Sequence, residues 1–322
     1  MTLHHAYHGD TVGAMSASET SVFTQPFAPM LFDVVRAHAP YCYRCPMGLE
    51  RATCHIDCLG ADICPVALSP EPWAETLGAQ LERHGADVAA VLVEPMLQGA
   101  GGMIVWPAEF LAGVRRLCDQ YGVLMIADEV LTGFGRTGRL FACEHAQVSP
   151  DIMCMSKAVT GGYMPLGVTA ATERIYDAFL SADRTRTFFH GHSFTGNPLA
   201  CALANASLQL IQDTDAVTKV QQVESWLHRG LQPLTSHRAV GDLRILGGVG
   251  IVELVSDKAT KSAGGYLDDV GPKLTKAFLD RGLLLRPLGN VVYVMPPYVI
   301  TEAETDWLTT QVREVVDEVI GG

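Results

Sequence analysis

Two apolar runs in this chain end in groups that can do chemistry. Val123-Leu124-Met125-Ile126-Ala127 leads into Asp128 and Glu129, and Ile152-Met153-Cys154-Met155 leads into Ser156 and Lys157. Each run reads as a buried strand, and Gly161-Gly162 as part of the loop that follows the second. In open α/β sheets ligands bind beyond the carboxyl ends of the strands. A Ser-Lys pair alone is more often a surface lysine just past a strand; an acid at the end of a second strand changes the balance. An amine and a carboxylate at neighbouring strand ends are the pair a pyridoxal phosphate site requires. The lysine amine condenses with the cofactor aldehyde, and the acid pairs with the ring nitrogen and keeps the ring an electron sink. Val130, two residues beyond Asp128, is placed to point to the same side and pack on a ring face.

The stretch around the acid continues as Asp128-Glu129-Val130-Leu131-Thr132-Gly133-Phe134-Gly135-Arg136-Thr137-Gly138. With it in view the chain resembles the class III pyridoxal-phosphate aminotransferases. Tyr7-His8-Gly9-Asp10-Thr11-Val12-Gly13-Ala14-Met15-Ser16 narrows the resemblance to the biotin-pathway branch of that family. The likeness runs from Tyr7 to about Pro297. It implies fold type I, an α/β fold with a mainly parallel sheet flanked by helices and a smaller C-terminal α+β domain. It also implies pyridoxal 5'-phosphate as cofactor and transfer of an amino group to 8-amino-7-oxononanoate, giving 7,8-diaminononanoate. Adenosylmethionine and lysine stay open as the amino donor.

The same resemblance assigns roles to residues. Lys157 and Asp128 carry the chemistry and hold the cofactor, with Val130 and Tyr7 against its ring. Tyr7 also lines the substrate pocket, and Asp10 is a weaker substrate-side candidate. Phe188-Phe189-His190-Gly191-His192-Ser193-Phe194 resembles the family's segment that reaches into the partner subunit, His192 and Ser193 meeting the cofactor phosphate and Gly191 the substrate. That segment implies a homodimer with a shared active site. Arg286, followed by Pro287-Leu288-Gly289-Asn290, matches the family's carboxylate-binding arginine, and a bidentate guanidinium suits a remote carboxylate. Arg136 is a second substrate-side candidate. Glu94, at the end of Val88–Val93, resembles an acid near the active site.

Bulk properties limit the alternatives. The chain has 322 residues, 48% of them hydrophobic and 18% charged, as in ordinary globular proteins. Its net charge of −12 argues against a nucleic-acid or anionic-membrane surface. No apolar run reaches transmembrane length, and the first residues lack a charged-then-apolar signal pattern. Nine cysteines is an odd number, and Cys118, Cys143, Cys154 and Cys201 lie in apolar segments. Reduced thiols and a cytoplasmic protein are expected.

Along the chain, residues 1–214 read as a large cofactor-binding domain and 215–322 as a small C-terminal domain. The family's phosphate-cradling loop is not in this sequence, so the chain resembles a member lacking its N-terminal part. Residues 41–64 form a Cys-rich insert. Cys42, Cys45, Cys54 and Cys58 have the spacing of a structural zinc site; reduced thiols in a packed loop are the other reading, and no catalytic metal is assigned. Pro107 opens a helix whose Phe110, Val114, Leu117 and Cys118 share one face, ended by Gly122. Strand, helix and strand with short joins predict parallel pairing. The last part predicts a helix over 218–233, a strand region over 243–254 interrupted by Gly247 and Gly248, a helix over 266–281, two strands and a closing helix over 302–320. Two rival readings remain: another class III aminotransferase acting on an ω-amino acid or ornithine, and a non-enzyme, either an inactive fragment or a dimerising remnant that binds a full-length partner.

Overall fold

The computed structural model describes residues 1–49, 73–263 and 268–320. The chain opens with β1 (Thr2–Leu3), a short helix α1 (Val12–Ala17) and β2 (Arg36–Ala37). Then follow α2 (Leu77–His84), β3 (Ala90–Val93), β4 (Leu97–Gln98), β5 (Ile104–Val105), α3 (Ala108–Tyr121), β6 (Leu124–Asp128), β7 (Ile152–Met155) and β8 (Val168–Ala171). The main sheet has the order β3-β6-β7-β8. The two pairings that matter here are parallel, as predicted from the βαβ pattern, and β8 adds an antiparallel edge beside β7.

The helix from Ala108 forms for the reasons legible in its sequence. Its buried face is Phe110, Leu111, Gly113, Val114, Leu117 and Cys118, and Gly122 ends it in the left-handed conformation at φ 68°. That face packs on β3 and β6 through Val91, Val93, Met125 and Ala127, with Leu77 and Leu81 of α2 in the same core. The start of the chain lies along the other side of β3: the Met1 amino group donates to Ala90 O and Leu92 N–H donates to Met1 O. Running parallel to β3, β1 therefore delivers residues 4–8 to the carboxyl edge of the sheet. There the loop after β4 packs so tightly on His5 that a Cβ at Gly101 would sit 1.8 Å from the His5 carbonyl oxygen.

A second core belongs to the C-terminal part. After α4 (Glu173–Asp177) and α5 (Pro198–Asp213), α6 (Ala216–Leu231), α7 (Val270–Asp280) and α8 (Glu302–Ile320) cover one face of an antiparallel sheet. Its strands are β9 (Val240–Leu246), β10 (Val249–Leu254) and β11 (Val291–Val294), in the order β11-β10-β9. The predicted interruption at Gly247 and Gly248 is the two-residue turn of the β9–β10 hairpin. Gly247 is required there: φ is 53°, and a Cβ would meet the Thr137 backbone at 2.4 Å. Val252 and Leu254 face the helices, whereas Val249 and Ile251 pack against Met96, Leu97 and Met103. The sheet is thus buried on both faces. One expected strand is not formed. Leu283–Leu285 is irregular, since Leu284 and Arg286 are exposed and the run has no partner strand among the described residues. Cys54 and Cys58 lie outside the described residues; Cys42 and Cys45 are half-buried, and Cys42 Sγ donates to Pro40 O.

Phe278 is fully buried between α7, α8 and this sheet. Phe278→Ala is expected to lower the unfolding free energy by about 3–5 kcal/mol, read from urea denaturation.

Candidate active site

The register of β6 on β7 sets Asp128 beside Cys154, and Lys157 follows at the carboxyl end of β7. Neighbouring strands lie about 4.8 Å apart, so the acid and the amine leave the sheet from adjacent strands at one edge. Asp128 is 8% exposed. Its Oδ1 accepts the Val130 N–H at 3.1 Å, and its Oδ2 lies 2.8 Å from His8 Nδ1. Glu129, the next residue, points away and is fully buried. It accepts from the Thr132 hydroxyl and the Ala142 and Cys143 amides, fixing the turn after the strand.

Lys157 opens a 3-10 turn, Lys157–Thr160, and has φ of 47°, left-handed for a residue with a side chain. Such a backbone costs on the order of 1–3 kcal/mol and persists only where its surroundings fix it. They do so from both sides. Ser156 Oγ donates to Leu166 O, and Ser207 Oγ of α5 donates to Ala158 O, while Val159 packs with Phe134 and Ala204. The lysine is exposed and makes no hydrogen bond or ion pair among the described residues. Its amine is free for a ligand.

Tyr7 and Glu94 complete this edge. The Tyr7 N–H donates to Glu94 Oε1 at 3.0 Å and its hydroxyl donates to Asp10 Oδ1 at 2.9 Å. Glu94 Oε2 accepts the Gly99 N–H at 2.9 Å, so this acid anchors Tyr7 and the β4 loop and does not touch Asp128 directly. Burial pushes the Glu94 carboxyl up to about 7.

Other sequence-predicted residues stand apart from this group. Arg136 Nη1 donates to Gly248 O at 3.2 Å and Pro296 O at 3.0 Å, and its guanidinium lies 4.6 Å from the Tyr298 ring centroid. It ties the loop after β6 to the C-terminal sheet. Arg286 is exposed, with no ion pair or hydrogen bond among the described residues. Gly191, His192 and Ser193 are exposed in a segment where the His192 N–H donates to Thr195 Oγ1. That segment lines an open groove of about 1530 Å³ with Ser156, Met164, Tyr176 and Phe179. His8 is the residue that sequence reasoning passed over. The motif contains it, but its proximity to Asp128 is decided only by the fold.

These groups fit pyridoxal phosphate by the chemistry of the donor set. A buried carboxylate would pair with a cationic ring nitrogen, and an unengaged primary amine stands at the next strand end.

Comparison with known proteins agrees with this geometry. The sequence profile described as Aminotransferase class-III matches residues 1–316. The chain is 46% identical to adenosylmethionine-8-amino-7-oxononanoate aminotransferase of Geobacter sulfurreducens over 98% of its own length and 67% of that protein's. For the protein of the same name from Nitratidesulfovibrio vulgaris the figures are 44%, 98% and 56%. It therefore spans about two thirds or less of these relatives. The crystal structure of adenosylmethionine-8-amino-7-oxononanoate aminotransferase from Methanocaldococcus jannaschii superposes with a TM-score of 0.85 at 34% identity, covering 98% of this chain and 67% of that one. An amine transaminase from an uncultivated Pseudomonas species, solved in its PLP-bound form, gives 0.85 at 30% identity, covering 99% and 69%.

A titration follows from Glu94. Its folded carboxyl holds a proton that the unfolded chain has already released above the ordinary range, so its stabilisation is present at acid pH and lost as pH rises toward 7. Unfolding free energy should fall from pH ~4.5 to ~7 by up to about 1.4 kcal/mol per unit from this group, and Glu94→Gln should flatten that slope in urea melts.

A carboxylate and an amine at adjacent parallel strand ends, a family profile over nearly the whole length and solved relatives of the same shape lead to one conclusion: this chain belongs to the class III aminotransferases, pyridoxal-phosphate enzymes of fold type I.

Proposed function

We propose that the protein transfers an amino group from adenosylmethionine to the ketone of 8-amino-7-oxononanoate, the biotin-pathway step for which its relatives are named. The observation that carries the reading is the Asp128–Lys157 pair at the ends of two hydrogen-bonded parallel strands. Pyridoxal phosphate, when bound, supplies an aldehyde that takes up the amino group and a ring that accepts the electron pair released at carbon. Lys157 Nζ would hold the cofactor, and Asp128 would pair with its ring nitrogen. Tyr7 and Val130 would flank the ring. Lys157 Nζ would take the proton from the amine-bearing carbon of the donor. In the second half it returns a proton to the carbon that was the ketone.

Arg286 is the stronger candidate for the substrate carboxylate, because the Arg136 guanidinium is already shared between two carbonyls. We assign residues 1–214 to a large cofactor-binding domain and 215–322 to a small one, a division supported by the two separate cores. A homodimer with His192 and Ser193 reaching the partner's phosphate site is supported by the exposed apolar side chains there. Phe189 is 82% and Phe194 73% exposed, with Tyr163 and Leu199 bare nearby, more than a monomer ordinarily leaves to water. A cytoplasmic setting is supported by Cys118, Cys143, Cys154 and Cys201, which form no disulfide among the described residues. No helix among the described residues is long and apolar enough to cross a membrane.

The test is a donor and acceptor screen on the cofactor-loaded protein. Turnover of 8-amino-7-oxononanoate with adenosylmethionine is expected. Turnover of 4-aminobutyrate without the oxononanoate would instead favour an ω-amino-acid enzyme. Lys157→Ala should abolish both the visible cofactor absorbance and turnover, and Asp128→Asn should cost on the order of 10²–10³ in kcat. Arg286→Ala should raise the keto-acid KM about 10–100-fold and leave the donor KM nearly unchanged.

A further inference from the structure

We infer that Ser207 is a positioning residue for Lys157: its hydroxyl reaches out of α5 to the Ala158 carbonyl and so fixes the direction in which the lysine amine leaves its turn. The inference rests on the reading of Lys157 as the cofactor-bearing amine. Hydroxyls inside helices usually turn back on a carbonyl of their own helix one turn earlier, as Ser225 Oγ of α6 does on Gln221 O at 3.3 Å. Ser207 instead crosses to another element, and its Oγ donates to Ala158 O at 3.0 Å. It does so from the part of α5 where Ala204, Leu208 and Ile211 share an apolar cluster with Val159 and Phe134, at the spacing of one helical stripe. An alanine would serve that packing equally well. The hydroxyl adds one directed bond, made to the residue that follows the lysine.

The turn needs a hold from outside. Lys157–Thr160 is a single 3-10 turn, and the hydrogen bonds of such turns have poorer geometry than those of an α-helix. It also begins with a non-glycine residue at φ 47°, a conformation that relaxes to negative φ when nothing prevents it. Ala158 O accepts the Gly161 N–H at 3.0 Å, closing the turn, and Ser207 fills its second acceptor site. On the other side Ser156 Oγ donates to Leu166 O at 2.7 Å, and the Val159 N–H donates to Ser156 O at 3.1 Å. Lys157 thus stands between two anchored residues. A change of φ there re-aims the bond from Cα to Cβ, and the long, flexible stem carries that error out to Nζ. Ser207 does not touch cofactor or substrate in this account; it acts through the backbone of Lys157.

The experiment compares the full chain with Ser207→Ala, Ser207→Val and Ser207→Thr; valine and threonine share a shape and differ in the hydroxyl. Hydrogen exchange of residues 157–163 is followed on the cofactor-free protein, and pyridoxal phosphate affinity, kcat and KM on the loaded one. In Ser207→Ala and Ser207→Val the turn is expected to exchange about 2–10-fold faster, the worth of one hydrogen bond, with β6 and β7 unchanged. Cofactor affinity and kcat should fall by a similar factor, with the donor and keto-acid KM little changed. Ser207→Thr should stay near the parent in all of these. Threonine and valine variants that behave alike, or a turn that exchanges faster while affinity and kcat stay at the parent's values, would overturn the role. If the branched variants do not fold, Ser207→Ala decides: parent-like exchange and kcat refute the inference, and faster exchange with lower kcat supports it. If the parent binds the cofactor without turnover, exchange and affinity decide in the same way. A parent chain that takes up no pyridoxal phosphate sinks the cofactor reading and this inference with it. A parent that binds it, with Ser207→Ala indifferent, sinks the Ser207 role alone.

Discussion

The hydrogen bonds around the Asp128 carboxylate are the constraint to which the rest of this site answers. A charged group at the end of a buried strand is costly unless each oxygen is met by a donor. Here the donors come from two distant places in the sequence: Val130 from the same strand end, and His8 from a segment that must first be brought across the sheet. That second requirement explains the path of the first residues, which pair alongside β3 and turn at its carboxyl edge. It also explains Glu94, whose two oxygens bind the amides of Tyr7 and Gly99 and so join the arriving segment to the loop it rests on.

The two acids of Asp128-Glu129 show how alternation along a strand divides labour. Successive side chains leave a strand on opposite faces. Asp128 stands at the candidate site; Glu129, more deeply buried, is consumed by three donors of the following turn. That turn leads to Arg136, which grips carbonyls of the C-terminal sheet. A second buried cluster completes the joint. Arg244 pairs with Glu253 and also donates to the carbonyls of Met103 and Gly102, while Tyr41 and Arg44 reach the same glutamate. Buried ion pairs add little net stability over apolar packing, but removing one partner is expensive. Their effect here is to fix how the small sheet sits on the loops that flank the site.

The lysine end is built differently. Its backbone is strained, its side chain is open to solvent, and its support comes from hydrogen bonds to neighbouring backbone and from the α5 helix. The acid is thus held by hydrogen bonds at both oxygens, while the amine at the next strand end is not held. Beyond it Tyr163, Phe189, Phe194 and Leu199 leave large apolar side chains exposed.

Local chemistry was enough to place much of this from residues alone. The apolar runs ending in Asp128 and Lys157, the face of the helix from Ala108 and the glycine turn at Gly247 are each set by side chains within a few positions of one another, and each is found where periodicity put it. Leu283–Leu285 misled, because an apolar run reads as a strand whether or not a neighbour exists to accept its hydrogen bonds. Long-range pairing was invisible. That His8 lies on Asp128, that Glu94 serves Tyr7 and not Asp128, and that Arg136 is occupied by carbonyls of Gly248 and Pro296 depend on contacts between residues far apart in the chain. The sequence states which groups exist and which face each takes; only packing decides which of them meet, because a side chain's partner is chosen by the whole fold that closes around it.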